Sequence, residues 1–279
     1  MNYFNHNGKI YKEGTPVINA TARGLRYGDG LFETMKLKDG HLILTDEHFA
    51  RLWNGMQVLQ FHVPKHFTPE KLEEEIVTLA KKNGHDKKAR VRITVYRGDG
   101  GLYDASNHFP NWIIETGELQ GDDAVLNSNG LALGIYASVK KSIDILSNLK
   151  HNNYLPYVMA ALHAKENKWN DAIVLNTEAR ICDSTIANIF IIKDEIIYTP
   201  ALTEGCVAGI MRNHLIRQLP ALNFKVIEKQ ISIEELIEAD EVFLSNSIYG
   251  IRWVRGIAEK IYCNKMIQEI FAALLPTIS

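Results

Sequence analysis

Phe49, Leu52, Trp53, Met56 and Leu59 recur at helical spacing, and Leu72, Ile76 and Leu79 do the same, so each set predicts a helix with one buried face. The first helix follows a short apolar run, Leu42-Ile43-Leu44, that reads as a strand. Thr45 is its expected N-cap, with Asp46 and Glu47 in an acidic first turn. The second opens at Thr68-Pro69, a cap followed by proline at the first helical position, and stops near Gly84. Apolar runs predict strands over 91–96 and 112–115, separated by the loop Arg97-Gly98-Asp99-Gly100-Gly101. Past a polar stretch at 117–130, a strand is expected over 131–137. A helix then follows Asn152, with Leu155, Val158, Met159 and Leu162 expected on its buried face. Strands at 172–175, 188–192, 196–199 and 241–244, a turn around 176–180, and helices near 210–218, 233–239 and 265–275 complete the pattern. The alternation predicts an α/β or α+β fold. The polar stretch divides it into a small domain, 1–118, a linker, 119–127, and a larger domain, 128–279.

Composition narrows the function classes. The 279 residues carry 31 Lys+Arg, 33 Asp+Glu and a formal net charge of −2, with 46% apolar residues. This excludes a disordered or collagen-like chain. No basic stripe suggests a nucleic-acid partner. No stretch approaches the roughly 20 apolar residues of a membrane helix, and the start lacks a signal-peptide pattern. The three cysteines, Cys182, Cys206 and Cys263, are odd in number and widely spaced, which predicts a reducing, cytoplasmic setting. No Cys-x-x-Cys or His-x-x-x-His pair supports a metal site.

Lys150 sits where a predicted strand passes into a helix, in Ser147-Asn148-Leu149-Lys150-His151-Asn152-Asn153-Tyr154. A lone lysine there reads as solvated, although one lodged between apolar segments can lose its proton and become nucleophilic. The wider pattern selects the second reading. Tyr27-Gly28-Asp29-Gly30-Leu31-Phe32-Glu33-Thr34, Glu47-His48-Phe49-Ala50-Arg51-Leu52, Lys150, Asp183-Ser184-Thr185-Ile186-Ala187-Asn188-Ile189-Phe190, Tyr198-Thr199-Pro200 and Gly209-Ile210-Met211-Arg212 follow in order. The ordered set resembles the aminotransferase class IV family, pyridoxal-phosphate enzymes of fold type IV. Its members have a small N-terminal α/β domain and a larger, barrel-like C-terminal one.

The resemblance implies pyridoxal 5'-phosphate as cofactor, with Lys150 as its Schiff-base lysine and the carrier of the substrate proton. Arg51, by itself a surface arginine on an amphipathic helix, would grip the phosphate. Gly209, Ile210 and Met211 would offer backbone N–H groups to it, joined by Asn246 and by Ser247, otherwise a turn residue. Phe32, Arg97 and Tyr154 are the implied substrate contacts, and a homodimer the implied assembly. Asp183 departs from the pattern. The family has a glutamate five residues before the Asn-aliphatic-Phe asparagine, holding the pyridine nitrogen protonated; here the side chain is shorter by about 1.5 Å. A carboxylate of either length favours the charged ring. Glu178 is the alternative, in the predicted turn.

Substrate choice divides within the family. The spacing Lys150-His151-Asn152-Asn153-Tyr154 is one residue shorter than in branched-chain aminotransferases and is similar to the D-amino-acid aminotransferase and aminodeoxychorismate lyase branches. The loop Arg97-Gly98-Asp99-Gly100-Gly101 with Tyr103 resembles the lyase loop, and the Arg-x-His trap of the D-amino-acid enzymes is missing. The segment Ser245-Asn246-Ser247-Ile248-Tyr249-Gly250-Ile251 also resembles the lyase pattern. Transamination between an amino acid and a 2-oxo acid is the leading expectation, being the commoner chemistry in the family. Release of pyruvate and p-aminobenzoate from aminodeoxychorismate is the alternative, and a non-catalytic module on this fold the third reading.

Overall fold

The computed structural model describes residues 2–121 and 125–278. Residues 122–124 of the expected linker lie outside the described residues. The chain forms two compact units: Met1–Gly121 with Leu149–Asn153, and Asp122–Asn148 with Tyr154–Ser279. The short return of 149–153 to the first unit is something a single cut in the sequence does not give.

The first unit contains β1 (Tyr3–His6), β2 (Lys9–Lys12), α1 (Arg23–Tyr27), β3 (Gly30–Lys38), β4 (His41–Leu42), α2 (Thr45–Val58), α3 (Pro69–Asn83), β5 (Lys88–Arg97) and β6 (Pro110–Glu118). Its antiparallel sheet runs β2-β1-β6-β5-β3-β4. Val91, Ile93 and Val95 alternate along β5 and are fully buried, in one core with Leu52 and Met56 of α2 and Leu72, Ile76 and Leu79 of α3. Each such side chain contributes roughly 1.5–3 kcal/mol by leaving water. α3 follows its sequence signals: Thr68 Oγ1 accepts from the Lys71 N–H at 3.2 Å, and Gly84, left-handed at φ 72°, closes the helix. The start of α2 does not. Thr45 Oγ1 donates back to the Leu42 carbonyl at 2.9 Å, Leu44 takes the N-cap position at φ 55°, and the expected strand shrinks to His41–Leu42.

The second unit contains β7 (Leu131–Lys141), α4 (Leu155–Glu166), β8 (Asp171–Asn176), β9 (Ile181–Ser184), β10 (Asn188–Lys193), β11 (Ile196–Pro200), α5 (Ile210–Gln218), β12 (Lys225–Lys229), α6 (Ile233–Glu238), β13 (Glu241–Asn246), β14 (Gly250–Ile257), β15 (Lys260–Ile261) and α7 (Lys265–Ile278). Its curled, mixed sheet runs β12-β11-β10-β13-β14-β7-β8-β9, with β15 added to β14. The pairs β11–β12, β14–β7 and β7–β8 are parallel. This is the two-part α/β architecture of fold type IV.

α4 overturns one expectation. Leu155, Val158, Met159 and Leu162 lie on its outer face, 71%, 46%, 42% and 50% exposed, while Tyr157, Ala160 and Ala164 are buried. The two alanines belong to one cluster with Ala172 and Val174 of β8, where small side chains let the helix sit close to the sheet. Periodicity identified an apolar stripe but not the surface that covers it. No helix among the described residues is long and apolar enough to cross a membrane.

Candidate active site

In the first unit, the lysine-bearing segment lies along β3 as a short antiparallel addition. The Phe32 N–H donates to the Lys150 carbonyl and the Asn152 N–H to the Gly30 carbonyl, both at 2.9 Å, with a bridge between Leu31 and His151. Two glycines permit this approach. A Cβ on Gly30 would lie 2.2 Å from the Val95 carbonyl oxygen and 2.7 Å from Asn152 Nδ2. Gly28 is left-handed at φ 64°, and a Cβ there would meet Asn153 Oδ1 at 2.6 Å. The Tyr27–Gly30 motif is thus a seat for the Lys150 strand. Lys150 Nζ lies 4.5 Å from the centre of the Phe32 ring, and the Arg92 guanidinium lies 3.9 Å from the same ring. Arg92 is not among the residues the sequence singled out; only the pairing of β3 with β5 brings it to Phe32.

Arg51 is more deeply held than a surface arginine. Its Nε donates to Glu33 Oε1 at 2.7 Å and its Nη2 to Glu33 Oε2 at 2.6 Å, while His48 Nδ1 lies 2.7 Å from the same Oε2. Burial pushes the Glu33 carboxyl up, but Arg51 and His48 together bring it down to about 2. The fork on Glu33 fixes the plane of the guanidinium. Arg51→Ala is therefore expected to cost about 3–5 kcal/mol of stability, because it strands a buried carboxylate. Arg51→Lys keeps the charge and loses the fork. It is expected to keep most of the stability and to weaken cofactor binding by about 1.5–3 kcal/mol, measured by thermal melting and cofactor titration.

Arg97 is enclosed by its own loops. Its Nε donates to both Asp29 oxygens at 3.0 and 2.9 Å, its Nη1 lies 3.3 Å from the Gln60 carbonyl and 3.1 Å from His108 Nδ1, and its Nη2 donates to the Leu59 carbonyl. Arg23, also bonded to Asp29, holds the carbonyls of Gly100, Leu102 and Tyr103. The Gly-rich loop is thus anchored by two arginines on one aspartate. Arg97 has few donors left for a substrate.

In the second unit, Asp183 on β9 is buried and converges with the start of α5. Its Oδ2 accepts from the Tyr157 hydroxyl at 2.8 Å, from the Val207 N–H at 2.9 Å and from Lys141 Nζ at 3.4 Å. Its Oδ1 accepts from Asn188 Nδ2 at 2.8 Å, and that amide group also reaches the Val207 carbonyl. Gly209 is the N-cap of α5; a Cβ there would lie 1.9 Å from Asn188 Oδ1. No side chain among the described residues caps this helix, so Ile210 and Met211 open it with amides that suit an anion. Asn246 Oδ1 accepts from the Ile248 and Tyr249 N–H groups, which makes it the turn-former that presents half-buried Ser247. Tyr154 precedes α4, its ring stacked 4.4 Å from that of Tyr157. Glu178 lies exposed in the β8–β9 turn, its N–H on Asn176 Oδ1.

The model of the amino-transferase class IV family matches residues 30–257. The chain belongs to the class IV aminotransferase family. It is 30% identical to an aminodeoxychorismate lyase of Vibrio harveyi over 85% of this chain and 86% of that one. It is 26% identical to the branched-chain-amino-acid aminotransferase of Escherichia coli, over 91% and 84%. A branched-chain amino acid aminotransferase structure from T.th., solved with pyridoxamine 5'-phosphate, superposes with a TM-score of 0.87 at 20% identity and covers 99% of this chain and 94% of that one, a likeness of fold.

The groups present fit the cofactor that the family implies. An aldehyde needs an amine, a phosphate needs amide donors and a guanidinium, and a ring N–H needs a carboxylate oxygen. Asp183 Oδ1 holds a single donor among the described residues, against several on Oδ2, and so keeps a lone pair available.

Proposed function

We propose that this chain is a pyridoxal-phosphate-dependent transaminase, moving an amino group from an amino acid to a 2-oxo acid. The observation that carries the reading is Lys150 held by backbone pairing against β3 with its amine over Phe32, in a chain of this family. When bound, the cofactor supplies an aldehyde for an amine and a ring that delocalises the electron pair left by α-proton loss. Lys150 would be the amine that meets that aldehyde and the base that takes and returns the proton of the substrate carbon. Arg51, aimed by Glu33, would supply a guanidinium to the phosphate, and the Ile210 and Met211 amides with Ser247 would be its donors from the second unit. Asp183 would accept the ring N–H. Phe32 would face the substrate, Arg92, on the same ring as Lys150, would offer a cation to a substrate carboxylate, and Tyr154 is the substrate contact expected from the second unit.

The same groups serve a lyase, and the Gly-rich loop and the Vibrio harveyi relative favour that second reading. Separate incubation with aminodeoxychorismate, and with L- and D-amino acids plus 2-oxoglutarate, decides between them. Glutamate formation from an amino acid supports transamination; p-aminobenzoate and pyruvate from aminodeoxychorismate overturn it.

The outer stripe of α4 supports a homodimer, because four apolar side chains there lie exposed among the described residues. Sedimentation at micromolar concentration is expected to show a dimer, and Leu155→Glu with Leu162→Glu a monomer. A wild-type monomer with full activity contradicts the assembly.

A further inference from the structure

Lys141 ends β7 with its side chain inside the second unit, 5% exposed. Its Nζ lies 3.4 Å from Asp183 Oδ2 and 5.4 Å from the centre of the Tyr157 ring. A buried ammonium–carboxylate pair is a poor way to stabilise a fold, since two charges leave water to make it. Hydrogen bonding does not require it either, because Asp183 already accepts from Tyr157, Val207 and Asn188. What Lys141 adds to those neutral donors is charge.

Resting on the role given to Asp183 above, we propose that Lys141 is a positioning residue whose ammonium keeps the buried Asp183 ionised, so that its Oδ1 stands ready as acceptor for the cofactor's ring N–H. Burial pushes the Asp183 carboxyl above the usual carboxylate range, and Lys141 is the strongest influence pulling it back. The other titratable groups around it do not supply that charge. Tyr157 on α4 and Cys182 on β9 are pushed well up by burial, and Cys206, before α5, is pushed up to about 12. Glu204 and Arg212 are paired with Arg180 and Glu228.

The test compares Lys141→Met and Lys141→Arg, each alone and combined with Asp183→Asn. One readout is the melting temperature of the cofactor-free protein against pH. In Lys141→Met the folded pKa of Asp183 rises further above its unfolded value. A carboxyl shifted that way loses stability as pH climbs from the unfolded pKa through the folded one. The melting gap between wild type and Lys141→Met is expected to widen between about pH 5 and 8, and to stop widening in the Asp183→Asn background. Lys141→Arg is expected to track wild type. The second readout is the dissociation constant of pyridoxal 5'-phosphate. Lys141→Met is expected to weaken it roughly tenfold near neutral pH, with recovery as pH rises. Removing Lys141 from Asp183→Asn is expected to change it no further. Parallel melting curves, a gap that keeps widening without Asp183, or tighter cofactor binding by Lys141→Met overturn the proposal. The last would mean that Lys141 only competes with the ring nitrogen for one carboxylate. If the wild-type chain binds no pyridoxal 5'-phosphate, the functional reading fails by itself, and the melting curves still decide whether Lys141 holds Asp183 ionised.

Discussion

Lys150→Ala is expected to leave a folded protein without measurable transamination. General acid–base transfer alone is worth roughly 10²–10⁴ in rate, and under the proposed function the lysine would also be the covalent anchor, so the loss should lie beyond that range. The fold should survive because the strand at 149–153 is held by its backbone: the Lys150 carbonyl accepts from Phe32, and the Asn152 N–H donates to Gly30. Circular dichroism and melting check the fold, and initial rates check the activity. Lys165→Ala, on α4, serves as the control and should turn over like wild type. Retained activity in Lys150→Ala would remove the residue from the chemistry.

Asp183→Asn is expected to slow α-proton removal by roughly 10²–10³-fold, the usual cost of losing one preorganised electrostatic partner. Loading of the cofactor onto Lys150 should persist, because it needs only the amine and the aldehyde. An asparagine NH₂ placed at Oδ2 would face four donors, the Cys182 thiol among them, so a stability loss of about 1–3 kcal/mol should accompany it. Asp183→Glu regains the usual reach of the family but forces a methylene into a packed site, at about 1–3 kcal/mol. Glu178→Gln, in the exposed turn, should change neither rate nor stability. The comparison is made in single-turnover experiments. If the Glu178 change stops proton removal and the Asp183 change does not, the two carboxylates exchange roles.

Local signals made some of this readable in the sequence. α3 announces both ends, since Thr68-Pro69 and Gly84 satisfy or release backbone groups within a turn of themselves. α2 hid its start because a threonine hydroxyl can donate backwards as readily as accept forwards, and Thr45 does the former. β9 carries Asp183, yet its four residues are too short for any period to show. Their burial comes from neighbours distant in sequence. The outer stripe of α4 reads as core because apolar spacing is the same whether the cover is the chain's own sheet or another molecule. Lys150 and Asp183 were singled out through ordered motifs. Arg92 and Lys141 were not, because their meaning lies in what the sheets bring beside them: a shared aromatic ring for one and a buried carboxylate for the other.

The most direct test of the account is to load the protein with pyridoxal 5'-phosphate, reduce it with borohydride and map the labelled peptide. A lysine condensed with the aldehyde becomes a stable secondary amine, so the label records which amine was bound. The account predicts stoichiometric label on the peptide containing Lys150. Label on Lys140, Lys141 or Lys165, or no incorporation from a protein that melts as a folded species, would contradict it.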